Sequence, residues 1–249
     1  MKKVPIVTLI IIIISLFILY FINTNEKDEK IEEINIENAE TISDLLYTEV
    51  YIKEQDKYIP YLVLSNDYDG KTFLLRKYIL NEDLRMNDYL AYYENCEMDV
   101  FLNTEFYENL PDETKNIIKN TTIEVLEEGY NATTENIIKI QRKIFLISYT
   151  ELNLKQTYHN GIEGTPIEYF EKSEKRIAYT EDGNPSAYWL RSADTDYKSC
   201  FYGIGPRGEV GSGNSFGTNG VRPAFCVDKN LKVIKNTKII EGEIVYIIK

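Results

Sequence analysis

The sequence has few of the side chains that enzymes commonly use as metal ligands or nucleophiles. It contains one histidine, His159, and three cysteines, Cys96, Cys200 and Cys226. Neither a Cys-x-x-Cys pair nor a histidine cluster occurs, so no zinc ligand set is present at motif spacing. His159 lies in a polar segment without a Gly-x-Ser-x-Gly motif, which is typical of a surface residue. We therefore expect no metal, no cofactor and no catalytic residue, and an enzyme is the less favoured interpretation.

Positive charge is also scarce. The chain has 28 lysine and arginine residues against 40 aspartate and glutamate residues, which gives a net charge of −12. A nucleic-acid groove needs clustered basic side chains to displace counterions, so this balance argues against a nucleic-acid partner. It argues equally against adhesion to anionic lipid. By contrast, 20 tyrosines and 10 phenylalanines supply ample material for a core.

One long hydrophobic run is present, from Ile6 to Ile22, and only Thr8 and Ser15 interrupt it. As a helix it would be about 26 Å long, near the lower limit for crossing a bilayer. No small-x-small cleavage site follows, which favours an uncleaved signal anchor over a cleaved signal peptide or a buried core helix. Lys2 and Lys3 precede the run, so the positive-inside rule places the N-terminus in the cytoplasm. We expect a single-pass protein of the cell membrane with most of its chain outside.

The remainder of the chain divides into a spacer and a domain. Residues 23–47 are predicted to form an acidic stalk, because glutamate dominates its first half. Its end, from Thr41 to Tyr47, is predicted to be a short helix with Thr41 or Ser43 as N-cap. Residues 48–249 are predicted to form one extracytoplasmic domain of the α+β class.

Most segments of this domain have strand-like patterns. Apolar runs at 58–64 and 72–76 flank the turn sequence Asn66 to Gly70 and predict a β-hairpin. Met98 to Leu110 has near-helical spacing, and Pro111 fits the first turn of a second helix. A short helix is predicted near 150–156, among long polar loops. Further strands are predicted at 121–126, 144–148, 188–192, 199–204, 221–227, 231–234 and 243–248.

The most informative motifs lie in the final third of the chain. The segment Tyr188-Trp189-Leu190-Arg191-Ser192 holds the single tryptophan. The segment Gly220-Val221-Arg222-Pro223-Ala224-Phe225 follows it. The run between them, from Gly203 to Gly220, is rich in glycine, serine and asparagine. It has no lysine and no phosphate-loop pattern, so its glycines are interpreted as residues of tight turns between short strands.

In a strand, Trp189 and Arg191 share one face. If that face is buried, Arg191 must be paired, because an unpaired buried charge is too costly. The favoured interpretation is a structural arginine that binds loop carbonyls or a carboxylate such as Glu151. The alternative is a guanidinium presented in a cleft to an anionic or sugar ligand.

These motifs resemble the W-W-L-R-S … G-V-R-P-A signature of an uncharacterised family of exported bacterial domains. The segment Phe101-Leu102-Asn103 with Phe106 is similar to its W-L-N-x-x-F helix, and Ile144 to Ser148 with Glu151 is similar to its F-L-L-S-x-x-E segment. In two places the chain differs from the signature, since Tyr188 and Phe101 stand where the family has tryptophan.

The resemblance extends from Val50 to Val233, and that family is similar to the C-type-lectin-like fold of the formylglycine-generating enzymes. It implies a mixed sheet with two or more helices and long loops. The residues that it implies as scaffold residues are Trp189, Arg191, Gly220, Arg222 and Pro223.

Ligand-binding variants of that fold place their chemistry on loops. The candidate contacts are therefore Tyr202, Asn214, Phe216 and Asn219, because aromatic faces stack on sugars and amides hydrogen-bond hydroxyls. We expect a membrane-anchored binding or scaffold module at the cell envelope, with a glycan or an envelope protein as ligand. A structural subunit of an envelope assembly is a second interpretation.

A third interpretation is an oxidase of the formylglycine-generating type, or another cysteine- or metal-dependent enzyme, which would use Cys200 and Cys226. These two cysteines fall in strand-like segments and could form a disulfide if those strands are neighbours. The alternative is that all three cysteines are reduced and buried as small apolar side chains.

Overall fold

The structure is a computed structural model that describes residues 39–80, 84–131, 134–154, 161–236 and 245–248. The described chain is mainly β-sheet with few helices, which confirms the α+β prediction in its coarse form. The strands are β1 Ala39–Thr41, β2 Glu49–Glu54, β3 Lys57–Tyr68, β4 Lys71–Arg76, β5 Leu84–Arg85, β6 Ile118–Lys119, β7 Thr121–Leu126, β8 Ile137–Arg142, β9 Ala178–Tyr179, β10 Pro185–Ser186, β11 Tyr188–Ala193, β12 Cys200–Ile204, β13 Val210–Asn214, β14 Thr218–Asn219, β15 Ala224–Val227, β16 Lys232–Asn236 and β17 Val245–Ile248.

The α-helices are short. Helix α1, Glu97–Phe101, continues into a π-helical turn at Leu102–Phe106, and α2 spans Asp112–Ile117. Single 3-10 turns are formed by Ile42–Leu45, Thr134–Asn136, Glu168–Phe170 and Ser173–Arg176.

Eight strands form the main sheet, in the order β1-β16-β17-β2-β3-β4-β15-β6. Strand β17 is parallel to β2, and the other neighbours are antiparallel, so the sheet is mixed. A smaller three-stranded sheet, β11-β12-β13, carries the first signature motif and most of the glycine-rich run. The pairs β7-β8, β9-β10 and β5-β14 complete the described strands.

The predicted hairpin is confirmed as β3 and β4. Its two turn residues are Asp69 and Gly70, with φ of 51° and 73°, and Tyr68 is paired with Lys71 across them. Two consecutive positive φ values match a type I′ turn, whose twist suits the flanking strands. Strand β4 is almost entirely buried, so the hairpin lies in the core.

The predicted helix at 98–110 is broadly confirmed, although a π-helical turn replaces its middle. Asn103 in that turn donates from Nδ2 to the Ile144 carbonyl at 2.8 Å. Its Oδ1 accepts from the backbone nitrogens of Lys143 and Ile144, each at 3.2 Å. The asparagine of the helix motif therefore fixes the helix to the segment that follows β8.

The strand predicted at 144–148 is wrong apart from one bridge between Phe145 and Ala224. Side chains, rather than a neighbouring strand, satisfy much of its backbone. The Leu146 nitrogen donates to the Tyr93 hydroxyl at 3.2 Å, and the Leu146 carbonyl accepts from Arg191 Nη1 at 2.7 Å. Buried backbone groups need partners of some kind, and here they find polar side chains.

The helix predicted near 150–156 is also wrong where it is described, since residues 149–153 form turns. The short helix predicted from Thr41 to Tyr47 is a single 3-10 turn. The predicted membrane segment Ile6–Ile22 and the stalk up to residue 38 lie outside the described residues, as does His159. Among the helices that are described, none is long and apolar enough to cross a membrane.

Candidate functional site

Arg191 and Glu151 form a fully buried ion pair. Both side chains are 0% exposed. Arg191 Nη2 lies 2.6 Å from Glu151 Oε1, and Nη1 lies 2.7 Å from Oε2, so the contact is bidentate. The predicted pairing of Arg191 with a carboxylate such as Glu151 is confirmed. Burial alone would lower the pKa of Arg191, but Glu151 and Tyr68, with a smaller contribution from Glu163, together outweigh burial and raise the pKa.

Further hydrogen bonds surround this pair. The Tyr68 hydroxyl donates to Glu151 Oε1 at 2.5 Å, and the Ser148 backbone nitrogen donates to Oε2 at 2.9 Å. Arg191 Nε donates to the Glu124 carbonyl at 3.1 Å. Burial raises the pKa of Tyr68 well above its usual value, so the phenol stays a donor at ordinary pH. A charged pair with this many partners joins β3, β7, β11 and the 146–151 segment.

Arg222 of the second signature motif is buried in a different way. Its Nε donates to the Arg76 carbonyl at 3.1 Å, and its guanidinium lies over the Tyr188 ring at 5.0 Å. Within the described chain it forms no ion pair with a carboxylate. Burial lowers the pKa of Arg222. Its contacts connect the second motif to the first and to β4.

The two other signature residues, Gly220 and Pro223, lie in close contact with neighbouring segments of the chain. A Cβ on Gly220 would lie 2.4 Å from Ile79 Cγ2 and 2.6 Å from the Ala187 carbonyl oxygen, so only glycine fits. The Pro223 carbonyl accepts from the Arg76 nitrogen at 3.0 Å. The signature residues therefore hold strands together, and none of Arg191, Gly220, Arg222 and Pro223 lines a groove among those described below.

Trp189 is the exception, because it is both a core residue and part of a groove wall. Its Nε1 donates to the Leu84 carbonyl at 2.8 Å. Its ring crosses the β12-β13 hairpin at two glycines: a Cβ on Gly203 would be 3.7 Å from Cε3, and one on Gly213 would be 3.2 Å from Cη2. The glycines of this run therefore allow the indole to approach the hairpin, which is a second role besides tight turns.

A groove of about 410 Å³ lies on this hairpin, and we call it the glycine groove. Three predicted ligand contacts line it: Asn214, Phe216 and Asn219. The Phe216 side chain is exposed, while Gly211 has open space where a side chain would be. The remaining lining residues are Ala187, Trp189, Gly203, Ile204, Gly205, Glu209, Ser212, Gly213, Gly217 and Thr218.

Tyr202, the fourth predicted contact, lies elsewhere. It is buried and packs edge-on against Tyr149, with ring centroids 4.8 Å apart. Burial and the nearby Asp194 raise the pKa of Tyr202. Residue 202 lies inside strand β12, as the predicted strand at 199–204 requires, and its ring turns to the core, so it does not line the groove with the other three.

The disulfide that Cys200 and Cys226 could have formed is absent, since all three cysteines are free. Cys200 begins β12 in the three-stranded sheet, whereas Cys226 lies in β15 of the main sheet. Their strands are therefore not neighbours. Burial raises the pKa of all three thiols, to about 12 for Cys96. A raised pKa disfavours the thiolate that nucleophilic or metal-binding cysteines need.

Another groove, of about 500 Å³, was not predicted from the sequence. We call it the tyrosine groove, and its lining residues are Leu90, Ala91, Tyr92, Glu127, Glu128, Gly129, Tyr130 and Lys198. It forms where three distant segments meet, so neither motif nor periodicity in one segment could have indicated it. In the described part of the chain, no three His, Cys, Asp or Glu side chains are grouped so as to hold a metal.

The described residues form a mainly β domain in which these two grooves lie beside a buried arginine scaffold. The chain belongs to the DUF6273 family, described as a domain of unknown function, which matches residues 69–229. Both grooves lie inside this match, whereas β1, β2, β3, β16 and β17 of the main sheet lie outside it. No curated protein and no solved structure matches the chain.

Proposed function

We propose that this protein is a binding module of the cell envelope and that its glycine groove takes an uncharged sugar ring. The observation that carries the proposal is the composition of this groove. Its floor is backbone and indole, and its rim carries the exposed Phe216 ring and the amides of Asn214 and Asn219.

Each component suits a polyhydroxylated ring. Glycines leave the floor open, so a flat ligand can approach the backbone closely. The Phe216 ring offers an apolar face, and an amide can both donate to and accept from a hydroxyl. Glu209 is the one ionisable side chain of the lining, and it already lies near Arg207 at 3.4 Å. A phosphate or carboxylate ligand would therefore find no basic residue in the groove lining.

Replacing Gly211 by valine tests this proposal. No atom lies within 4 Å of a Cβ at this position, so the valine is expected to fill the groove without disturbing the fold. We expect ligand affinity to fall roughly tenfold or more, with a change in stability of about 1 kcal/mol or less. The measurement is titration of Trp189 fluorescence, since this single tryptophan lines the groove.

The probes are chito-, cello- and manno-oligosaccharides and muropeptides, added to the full-length protein in mild detergent. Gln141→Val is the matched control, because it places the same side chain on an exposed strand position outside the groove. If none of these probes changes the fluorescence of the wild-type protein, or if Gly211→Val binds them as tightly as wild type, the proposal is wrong.

We also propose that residues 6–22 tether the module to the cell membrane, on the strength of the hydrophobic run and the preceding lysines. The full chain is expected to stay in the membrane pellet after extraction with alkaline carbonate. A variant lacking residues 1–22 should be released, and externally added protease should digest the wild-type domain in cells without an outer permeability barrier. Release of the full chain by carbonate would refute the tether.

The likeness to the C-type-lectin-like fold belongs to the same proposal. It is supported by the mixed sheet and by the glycine-rich hairpin between the two signature motifs. Superposition of an experimental structure on a formylglycine-generating enzyme would test it, and a different strand order would reject it.

A further inference from the structure

Four exposed aromatic side chains lie outside the core of the molecule and close to the two grooves. Tyr89, Tyr130, Tyr197 and Phe216 are 59%, 48%, 62% and 50% exposed. Large aromatic side chains usually bury most of their area, so a group of four at the surface calls for a ligand or partner. Exposed aromatic residues that are scattered singly over a surface would need no such explanation.

Hydrogen bonds show that the segments carrying these residues are neighbours. The Ser215 hydroxyl, next to Phe216, donates to the Tyr89 carbonyl at 2.6 Å. The Ala91 nitrogen donates to the Lys198 carbonyl at 3.1 Å, which places the Tyr89 segment beside the Tyr197 segment.

On the other side, the Gly129 nitrogen donates to the Ala91 carbonyl at 3.2 Å, and the Asn131 nitrogen donates to the Thr195 carbonyl at 2.9 Å. The order of the segments, starting from Phe216, is therefore first those of Tyr89 and Tyr197 and then that of Tyr130. From the usual spacing of hydrogen-bonded segments, the distance from the Phe216 segment to the Tyr130 segment is roughly 15 Å.

The four residues connect the two grooves. Phe216 lines the glycine groove and Tyr130 lines the tyrosine groove. Tyr89 and Tyr197 lie on the segments between them. We call the surface along these neighbouring segments, from Phe216 to Tyr130, the aromatic path.

We propose that the ligand is an extended, uncharged glycan chain that occupies both grooves and crosses the aromatic path. This inference rests on the proposed function of the glycine groove and adds the length of the ligand. A single ring fills only the glycine groove. A chain places further rings on Tyr89 and Tyr197 and ends against Leu90 and Tyr130.

The charges of the two grooves further restrict which glycan can bind. The tyrosine groove holds Glu127 and Glu128 against Lys198, and the glycine groove holds Glu209. The protein as a whole carries −12. An anionic polymer would meet repulsion at both clefts, whereas a neutral glycan would not.

Chain-length dependence tests the inference. We expect the hexamer of a neutral oligosaccharide series to bind the full-length protein at least about tenfold more tightly than its monomer, because it gains the far contacts. Tyr130→Ala should lower the affinity for the hexamer about tenfold and leave the affinity for the monomer unchanged. The chito-, cello- and manno- series are the probes, followed by Trp189 fluorescence and by calorimetry.

Tyr179→Ala is the matched control, because Tyr179 is an exposed tyrosine in neither groove and should change neither affinity. Equal affinity for monomer and hexamer, with the monomer still bound at Trp189, would overturn this inference and leave the proposed function intact. Binding of no sugar at all would overturn both. A self-association that Tyr130→Ala abolishes would show that a second copy, and not a glycan, covers the path.

Discussion

Replacement of Arg191 by methionine is expected to lower the free energy of unfolding by about 3–5 kcal/mol. The reason is the carboxylate that the variant leaves behind, because Glu151 is fully buried and loses both of its bonds to the guanidinium. Native domains are stable by only about 5–15 kcal/mol, so this loss is a large part of the total. Urea unfolding of the full-length protein in detergent, followed by circular dichroism, measures it.

The double variant Arg191→Met with Glu151→Leu is the control for this prediction. Removing both charges eliminates the unpaired carboxylate, so the double variant should be more stable than Arg191→Met alone. It should not return fully to wild type, since the Tyr68 hydroxyl and the Ser148 nitrogen lose their acceptor. A single variant within about 1 kcal/mol of wild type would show that the pair is not needed for the fold.

Replacement of Trp189 by alanine should cost about 3–5 kcal/mol, as for other large aromatic residues removed from a core. The effect comes from two losses. The ring leaves a void over Gly203 and Gly213, where no Cβ can move in to fill it. The Leu84 carbonyl also loses its indole donor, which costs about 1 kcal/mol.

Trp189→Phe separates these two losses. It keeps a ring over the glycines and removes the donor, so it should be clearly less destabilised than the alanine variant. Thermal and urea unfolding followed by circular dichroism suit both variants, because neither retains tryptophan fluorescence. If the phenylalanine and alanine variants unfold at the same urea concentration, the ring does not fill the space as described.

The features that could be predicted from the sequence are those that local chemistry determines. The β3-β4 hairpin follows from two apolar runs and a turn sequence that ends in Gly70, and the structure has this hairpin. The ion pair of Arg191 was predictable in kind, because a charged residue on the buried face of a strand requires a partner. Three of the four candidate ligand contacts line one groove because they lie within six residues of each other, at 214–219 in the glycine-rich run.

The errors arise where tertiary contacts override a local pattern. The apolar run at 144–148 resembles a buried strand, yet the side chains of Asn103, Tyr93 and Arg191 replace the ladder it would need. Tyr202 lies in a strand that was predicted at 199–204, but the strand pattern did not show that its ring faces the core rather than a ligand. The tyrosine groove needs Leu90, Gly129 and Lys198 together, and no signal in any one segment shows that they meet.

The position of β17 has a consequence for when the domain can fold relative to its synthesis. This strand, formed by residues 245–248, lies between β16 and β2 in the interior of the main sheet and is parallel to β2. The main sheet is complete only when β17 is present, and β17 is nearly the last segment to be synthesised. The domain therefore has a high contact order and should fold slowly. With the proposed anchor, the polypeptide would cross the membrane before its main sheet is complete, and folding would take place on the far side. A truncation before residue 245 would separate β1 and β16 from the other five strands of the main sheet rather than shorten the sheet at an edge.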